Sequence, residues 1–212
     1  MSAEAALRVA DPALGRLIDV VIDRAGLQPV PLSTAQSHYE ALLRAIVYQQ
    51  LSGKAAGTIY GRVMALMEGD PLPERLLAVP ETALRGAGLS AGKTRYVRAL
   101  SDAVATGAID VGPGIDSLDD DAIVRQLTVV PGVGVWSAQM FLIFRLGRPD
   151  VLAVGDLGVQ KGLQLAHALE TVPTPKDVAR LGAAWAPHRS LACRYLWKAV
   201  DLKLNEALLA GV

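Results

Sequence analysis

The sequence predicts an all-α protein, and two observations carry that prediction. Hydrophobic residues make up 51% of the chain, with alanine and leucine prominent, while aromatic residues make up only 5%. Such a composition favours helices over strands. Apolar residues also recur three and four positions apart in successive segments, and no segment shows a convincing strand pattern.

Residues that begin and end helices separate these segments. Asp11, followed by Pro12, is a typical helix start, and Ser52, Ser90 and Thr174 are further cap candidates. Ser117 with Asp120 forms a plausible capping box. We therefore predict helices over roughly 11–26, 37–50, 54–67, 74–78, 80–86, 90–106, 117–130, 135–147, 156–169, 174–186 and 190–209.

Length and composition exclude several classes of protein. A chain of 212 residues suits one domain or two small lobes. Its single cysteine, Cys193, excludes an intrachain disulfide, a cysteine-built zinc site and an iron–sulfur cluster. The three histidines lie far apart, so we predict neither a metal nor a cofactor. No apolar run reaches membrane-spanning length, which predicts a soluble, cytoplasmic protein.

The formal net charge of zero argues against nucleic-acid binding, for which a basic domain is expected. Positive charge does cluster at Lys93, Arg95 and Arg98. A solvated helix face explains such a cluster more often than a DNA contact does, and the sequence leaves both interpretations open.

The segment Pro131-Gly132-Val133-Gly134 lies between two predicted helices. Proline cannot donate a backbone hydrogen bond, and the two glycines permit a tight turn. Backbone N–H groups at the start of the second helix would then be accessible to an anion, and a DNA phosphate is a natural one. The turn alone is equally compatible with a helix–helix connection that binds nothing.

Four segments together resemble the helix-hairpin-helix (HhH-GPD) DNA glycosylases, specifically the alkyl-base or 3-methyladenine DNA glycosylase II type. They are IVYQQLS at 46–52, PGVGVWSAQ at 131–139, AVGDLGVQKG at 153–162 and WAPHRSLACRYLW at 185–197. The resemblance implies two helical lobes, residues 1–35 with 149–212 and residues 36–148, with the active site in the cleft between them. It also implies a monomer that binds double-stranded DNA containing alkylated bases and needs no cofactor.

Asp156 matches the family's catalytic aspartate. Base excision needs a carboxylate that stabilises a cationic sugar and orients or deprotonates water. Without the resemblance, an aspartate before Leu-Gly-Val-Gln would usually be a helix N-cap. The two roles are compatible, because a cap holds the carboxylate in place.

The resemblance also implies the substrate-base pocket. Relatives that nick DNA use a lysine where this chain has Trp136, so the chain should remove the base without lyase activity. The indole could instead stack on a cationic base through a cation–π contact, unless it is an ordinary core residue. His188 and Met140 replace aromatic residues of relatives, so the base preference depends on whether Tyr39 or Tyr48 contributes.

The remaining residues implied by the resemblance bind DNA. Gln50 matches the side chain that fills the space left by a flipped base, and Gly132 and Gly134 belong to the hairpin. Arg189 and Ser190 match the last motif and would serve either phosphate binding or structure. Two rival functions stay open, a glycosylase for deaminated or oxidised bases and a non-catalytic DNA-binding module.

Overall fold

A computed structural model describes residues 1–205 and 209. Within those residues the chain forms α-helices and short 3₁₀ turns, without a β-strand, which confirms the all-α prediction. No described helix is long and apolar enough to span a membrane. The α-helices are α1 Ala3–Ala10, α2 Pro12–Ala25, α3 His38–Tyr48, α4 Gly53–Leu66, α5 Pro73–Ala78, α6 Glu81–Gly86, α7 Ala91–Ala105, α8 Asp120–Thr128, α9 Val135–Phe144, α10 Leu157–Ala166, α11 Pro175–Gly182 and α12 Arg189–Asp201.

The chain divides into two compact units, residues 33–141 and residues 1–32 with 142–212. The second junction falls within α9, whereas the sequence prediction placed it after residue 148. Because α9 continues across this junction, no helix end marks it in the sequence.

In unit 33–141, α7 packs against α3, α5 and α6. Apolar residues of these helices form the core because they recur on one face of each helix, and the fully buried ones include Leu42, Leu43, Ile46, Leu76, Leu84, Val97 and Leu100. In unit 1–32 with 142–212, α2, α10 and α12 pack on one another. Their buried residues include Leu14, Leu17, Ile18, Leu163, Ala192 and Leu196.

Most predicted caps form. The carboxylate of Asp11 accepts from the Ala13 and Leu14 amides at 3.1 and 3.0 Å. The hydroxyls of Ser52, Ser90 and Thr174 cap α4, α7 and α11 in the same way. Each cap satisfies a backbone donor that the first helical turn leaves without an intrahelical acceptor.

Three local predictions were wrong. Helix α1, capped by Ser2, was missed. The predicted capping box at Ser117 does not form, because Ser117 ends a 3₁₀ turn and donates to the Gly114 carbonyl at 2.7 Å. Asp119 caps α8 instead, accepting from the Ala122 amide at 2.6 Å. Helix α12 ends at Asp201 rather than near Leu209, and residues 206–208 of the predicted helix lie outside the described residues.

Candidate active site and DNA interface

The hairpin between α8 and α9 is a tight turn. The Val133 amide donates to the Val130 carbonyl at 3.0 Å, and Gly132 adopts a φ of 90°. The Gly134 carbonyl accepts from the Ala138 amide at 3.0 Å, which is the first hydrogen bond of α9. The first amides of any α-helix have no intrahelical acceptor, so the hairpin presents a helix N-terminus on which an anion can bind.

The two hairpin glycines have different structural roles. A Cβ on Gly132 would lie 2.3 Å from Cγ of Tyr96, so a side chain there would displace the tyrosine. Gly134 is exposed, and a Cβ built on it meets no heavy atom within 4 Å. Gly132 is therefore needed for the turn itself, whereas Gly134 keeps the surface of the turn open.

Three of the predicted base-pocket residues line one cavity of about 510 Å³ in unit 33–141, within the size range of ligand pockets. Trp136 and Met140 enter it from successive turns of α9, and Tyr48 from the end of α3. Trp136 is 47% exposed, so it is not an ordinary core tryptophan. The whole lining consists of Ala45, Tyr48, Gln49, Gln50, Trp136, Ser137 and Met140.

Tyr39 was predicted to contribute to this pocket, and the structure places it elsewhere. Its side chain is 4% exposed, and its hydroxyl lies 2.7 Å from Oγ of Ser101 on α7. Burial raises the pKa of Tyr39 to about 12. Tyr39 is therefore a core residue that joins α3 to α7.

Gln50 lies at the tip of the loop between α3 and α4. The Leu51 amide donates to the Tyr48 carbonyl at 3.3 Å, which closes a turn, and Gln50 is an exposed non-glycine residue with a φ of 56°. Such a backbone conformation costs about 1 kcal/mol or more and often occurs at functional sites. The loop thus presents the Gln50 side chain at a strained and exposed tip.

The neighbouring Gln49 connects this loop to the hairpin. Its Nε2 donates to the Gly132 carbonyl at 3.0 Å and lies 3.4 Å from Oγ of Ser137. The cavity, the Gln50 loop and the hairpin are consequently parts of one hydrogen-bonded structure within unit 33–141.

Asp156 lies in the other unit, as the N-cap of α10. Its Oδ1 accepts from the Val159 amide at 2.8 Å, the expected capping bond. The same oxygen accepts from Nε1 of Trp197 on α12 at 2.7 Å. The carboxylate is therefore oriented by its own helix and by a second one, while the residue stays partly exposed.

Glycines of α10 make room for α12 beside this carboxylate. A Cβ on Gly158 would lie 2.7 Å from Cδ1 of Trp197, and one on Gly162 would lie 2.7 Å from the Leu196 carbonyl oxygen. The Trp197 ring also stacks on Phe144, with ring centroids 5.6 Å apart. The glycine spacing in DLGVQKG thus allows the indole to reach Asp156.

Two predicted DNA-binding residues have structural roles. Ser190 is 1% exposed, and its hydroxyl donates to the Arg148 carbonyl at 2.6 Å and accepts from the Val151 amide at 3.0 Å. A side chain so deeply buried cannot contact DNA, so of the two roles left open for Ser190 the structure contradicts phosphate binding and supports the structural role. Arg189 binds both carboxylate oxygens of Asp150, at 2.7 and 2.8 Å, which lowers the Asp150 pKa. This pair holds the start of α12 to the segment between α9 and α10.

His188 lies immediately before α12, as its N-cap residue, and makes no side-chain capping bond. It is partly exposed. Its assignment to the base pocket stays a prediction.

Comparison with known proteins identifies the family. The model of the HhH-GPD superfamily of base excision DNA repair proteins matches residues 43–188, which is more than half of the chain. The chain belongs to the HhH-GPD superfamily. The match includes the Gln50 loop, the hairpin and Asp156.

Several relatives within the HhH-GPD superfamily are similar over most of their length. DNA-3-methyladenine glycosylase 1 of Schizosaccharomyces pombe is 33% identical over 77% of this chain and 73% of its own. A structure of this yeast's 3-methyladenine DNA glycosylase with abasic DNA matches with a TM-score of 0.83, at 31% identity, covering 95% of this chain and 97% of that one. A DNA-3-methyladenine glycosidase structure from Bacillus halodurans has a TM-score of 0.80 at 36% identity, covering 96% and 93%.

Sequence reasoning missed three residues that bind the candidate site residues of this HhH-GPD protein, one beside Asp156 and two beside Gln50. Trp197 ends one of the family-like segments, but its bond to Asp156 joins residues 41 positions apart. Gln49 was passed over in favour of Gln50, although the Gln-Gln pair was a signal. For Lys93 the sequence left a solvated face and a DNA contact open, whereas its Nζ donates to the Val47 and Gln49 carbonyls at 2.7 and 2.6 Å. No local pattern indicates where these side chains point.

Proposed function

We propose that this chain is a monofunctional DNA glycosylase that flips an alkylated base of the 3-methyladenine or 7-methylguanine type out of duplex DNA and hydrolyses its N-glycosidic bond. The observation that carries the proposal is the Asp156 carboxylate, which Val159 and Trp197 hold at the start of α10. The S. pombe and B. halodurans relatives, both named as 3-methyladenine glycosylases, support the alkyl-base assignment.

The chemistry assigned to Asp156 follows from its charge. As the bond between the sugar and the base breaks, its electron pair leaves with the base and positive charge develops on the sugar. A carboxylate beside that sugar stabilises the charge. It also accepts a proton from the water whose oxygen forms the new bond to the anomeric carbon. The products are the free base and an abasic site.

The cavity beside Trp136 is the proposed base site. A methylated purine such as 3-methyladenine carries positive charge, and the face of an indole attracts cations by about 1–2 kcal/mol when water is excluded. The partly exposed Trp136 ring and the adjacent Tyr48 and Met140 provide an apolar and polarisable lining.

We assign DNA binding to main-chain groups and a few side chains rather than to net charge. The hairpin at Gly134 would bind a phosphate through backbone amides, and Gln50 would occupy the space that the flipped base leaves. The S. pombe relative was solved with abasic DNA, which supports a DNA-binding role for this fold. Few phosphate contacts also imply a weak dependence of affinity on salt.

The test of the catalytic assignment is Asp156→Asn. Asparagine is an equally good N-cap, so the variant should fold, which thermal unfolding can verify. Loss of the negative charge and of the proton acceptor should slow single-turnover release of 3-methyladenine from methylated duplex by at least ~10²-fold. Duplex binding should persist or tighten, because a carboxylate near phosphates is repulsive. A folded variant that releases base at the wild-type rate would show that Asp156 is only a cap.

A panel of methylated, deaminated and oxidised duplexes tests the substrate class. We expect release from the methylated duplex and little from the others. If a deaminated or oxidised base is released faster than the methylated base, the protein is instead a glycosylase for deaminated or oxidised bases. No release from any duplex, with binding retained, would leave a non-catalytic DNA-binding module.

The absence of lyase activity is tested by borohydride trapping. A lyase forms a Schiff base between an amine and the abasic sugar, and an indole at position 136 cannot form one. Incubation with abasic duplex and borohydride should therefore leave the protein unmodified, while Trp136→Lys provides a matched comparison. A covalent protein–DNA adduct from the wild type would overturn the monofunctional assignment.

A further inference from the structure

Lys93, which lies on the neighbouring helix α7, binds the C-terminal end of α3. It lies in the first turn of α7, and its Nζ donates to the Val47 carbonyl at 2.7 Å and to the Gln49 carbonyl at 2.6 Å. These oxygens belong to the C-terminal end of α3, where the helix dipole concentrates negative charge and a cation is favourable. The amine thereby caps the helix from outside it.

The segment that Lys93 caps leads directly into the strained tip. Gln50 has a φ of 56°, and the turn from Tyr48 to Leu51 is closed by one backbone hydrogen bond of 3.3 Å. Strained backbone conformations persist only where surrounding contacts impose them. The Gln49 carbonyl bound by Lys93 belongs to the peptide group between Gln49 and Gln50, so the lysine fixes the peptide immediately before the tip.

Helix α7 also supports the hairpin. One turn after Lys93, the Tyr96 ring packs so closely on Gly132 that a Cβ there would collide with it. Gln49 then links the loop to the hairpin through its bond to the Gly132 carbonyl. The first half of α7 is thus a common platform for the phosphate-binding hairpin and the Gln50 loop.

We propose that Lys93 is a positioning residue for base flipping, which fixes the loop so that Gln50 enters the duplex in a preorganised conformation. This inference rests on the proposed function, in particular on the gap-filling role of Gln50. A lysine whose amine binds two main-chain carbonyls affects base flipping by fixing the conformation of the loop. A lysine bound to a phosphate would instead affect the affinity for DNA through its charge. The two roles predict different measurements.

The experiment compares Lys93→Met with Arg95→Met. Each substitution removes one positive charge from α7, but Arg95 is exposed and has no bond to the loop among those described. The probe is a methylated oligonucleotide, used both as a duplex and as the unpaired strand, with released bases measured under single-turnover conditions. Only the duplex requires the vacated space to be filled.

We expect Lys93→Met to slow release from the duplex about tenfold, since a displacement of about 1 Å in a positioned group can cost up to ~10²-fold. Release from the single strand should change less than about twofold on the same reasoning. Gln50→Ala should show the same selectivity, and adding Lys93→Met to it should cause little further loss. Equal slowing on both substrates, or an equal effect of Arg95→Met, would overturn the inference.

Hydrogen exchange tests the same inference without catalysis. Lys93→Met should accelerate amide exchange in residues 47–53, while Arg95→Met should leave it unchanged. Only Lys93→Met removes the hydrogen bonds to the Val47 and Gln49 carbonyls. Unchanged exchange in Lys93→Met would refute the positioning role even if the wild type released no base. If exchange is accelerated in Lys93→Met but the wild type releases no base, the proposed function is refuted, while the role of Lys93 in fixing the loop is retained.

Discussion

Asp156 is the N-cap of α10 and, in the proposed function, also the catalytic carboxylate. The Val159 amide and the Trp197 indole both donate to Oδ1, so the orientation of the carboxylate depends on two helices. A hydrogen bond to a charged group contributes about 1.5–3 kcal/mol. Loss of either bond would therefore leave the carboxylate less well oriented.

At this scale we predict the effect of Trp197→Phe. Phenylalanine keeps a ring against Phe144 but removes the indole N–H, so Asp156 should become less well oriented. Single-turnover excision should fall about tenfold, the lower end of what a hydrogen bond to a charged group contributes. In the Asp156→Asn background the same substitution should change the rate less than about twofold, because its effect acts through the carboxylate.

Trp185→Phe is the matched control. Its indole also donates to an aspartate N-cap, Oδ2 of Asp11 at 2.9 Å, in the same unit. This variant should lose thermal stability and keep the excision rate per folded molecule. A similar rate loss in both tryptophan variants, or an undiminished effect of Trp197→Phe without the Asp156 carboxylate, would indicate a merely structural role for Trp197.

At the scale of elements, the proposed function assigns DNA contacts to the hairpin and to α9, which follows it. The turn needs Gly132 for its backbone and for the close approach of Tyr96, whereas Gly134 leaves the start of α9 uncovered. Helix α9 then places Trp136 and Met140 in the cavity from its first two turns. Phosphate binding and base binding are thus assigned to neighbouring parts of one element.

The two glycines give a matched prediction. Gly134→Leu should fold, because its Cβ meets open space, and its side chain should cover the amides of α9. Its affinity for duplex DNA should fall about tenfold, which corresponds to about 1.4 kcal/mol. Gly132→Ala should instead destabilise the fold by about 1–3 kcal/mol, the usual cost of overpacking. Unchanged DNA affinity in folded Gly134→Leu would refute phosphate binding by the hairpin.

At the scale of the whole molecule, the net charge is zero, and several of the basic side chains make contacts within the protein. Arg8, Arg75 and Arg189 form ion pairs with nearby acids, and Lys93 and Arg98 donate to main-chain carbonyls. These five of the 21 basic residues therefore have partners within the protein. This use is consistent with DNA recognition through a few main-chain contacts.

A second whole-molecule property is stability towards acid. Asp11 is 8% exposed, and burial alone would raise the pKa of its carboxyl. Hydrogen bonds from His167, the Leu14 amide and Trp185 outweigh burial and lower that pKa to about 2. Because the folded state binds the proton less readily than the unfolded state, Asp11 stabilises the fold above pH 4 and loses this effect as the pH falls towards 2.

We therefore predict that Asp11→Asn lowers the free energy of unfolding at pH 7 by about 2 kcal/mol, the energy of a shift of this size. Urea unfolding at several pH values should show this difference shrinking between about pH 4 and pH 2. Asparagine preserves the cap, so helix content should not change. A difference between the two proteins that is constant with pH would exclude the ionised carboxylate as its origin.

Local signals in the sequence were enough to predict most helices and several of their starts. The caps at Asp11, Ser52, Ser90 and Thr174 formed because a cap depends on residues two or three positions apart. The local signals were misleading at Ser117, because Asp119, two residues later, caps α8 instead. Local signals also missed α1, because eight residues give only a short periodic pattern.

Long-range contacts required the tertiary structure. Three hydrogen bonds join residues that are far apart in the sequence. Trp197 and Asp156 are separated by 41 positions, Lys93 and Gln49 by 44 positions, and Gln49 and Gly132 by 83 positions. Which side chain meets which carbonyl or carboxylate depends on helix packing, and periodicity shows only which face of a helix is buried. Local sequence patterns thus indicated most helices and the hairpin and made Asp156 the candidate catalytic residue. Packing decided that Ser190 and Tyr39 are core residues, that Lys93 binds the Gln50 loop and that Trp197 orients the Asp156 carboxylate.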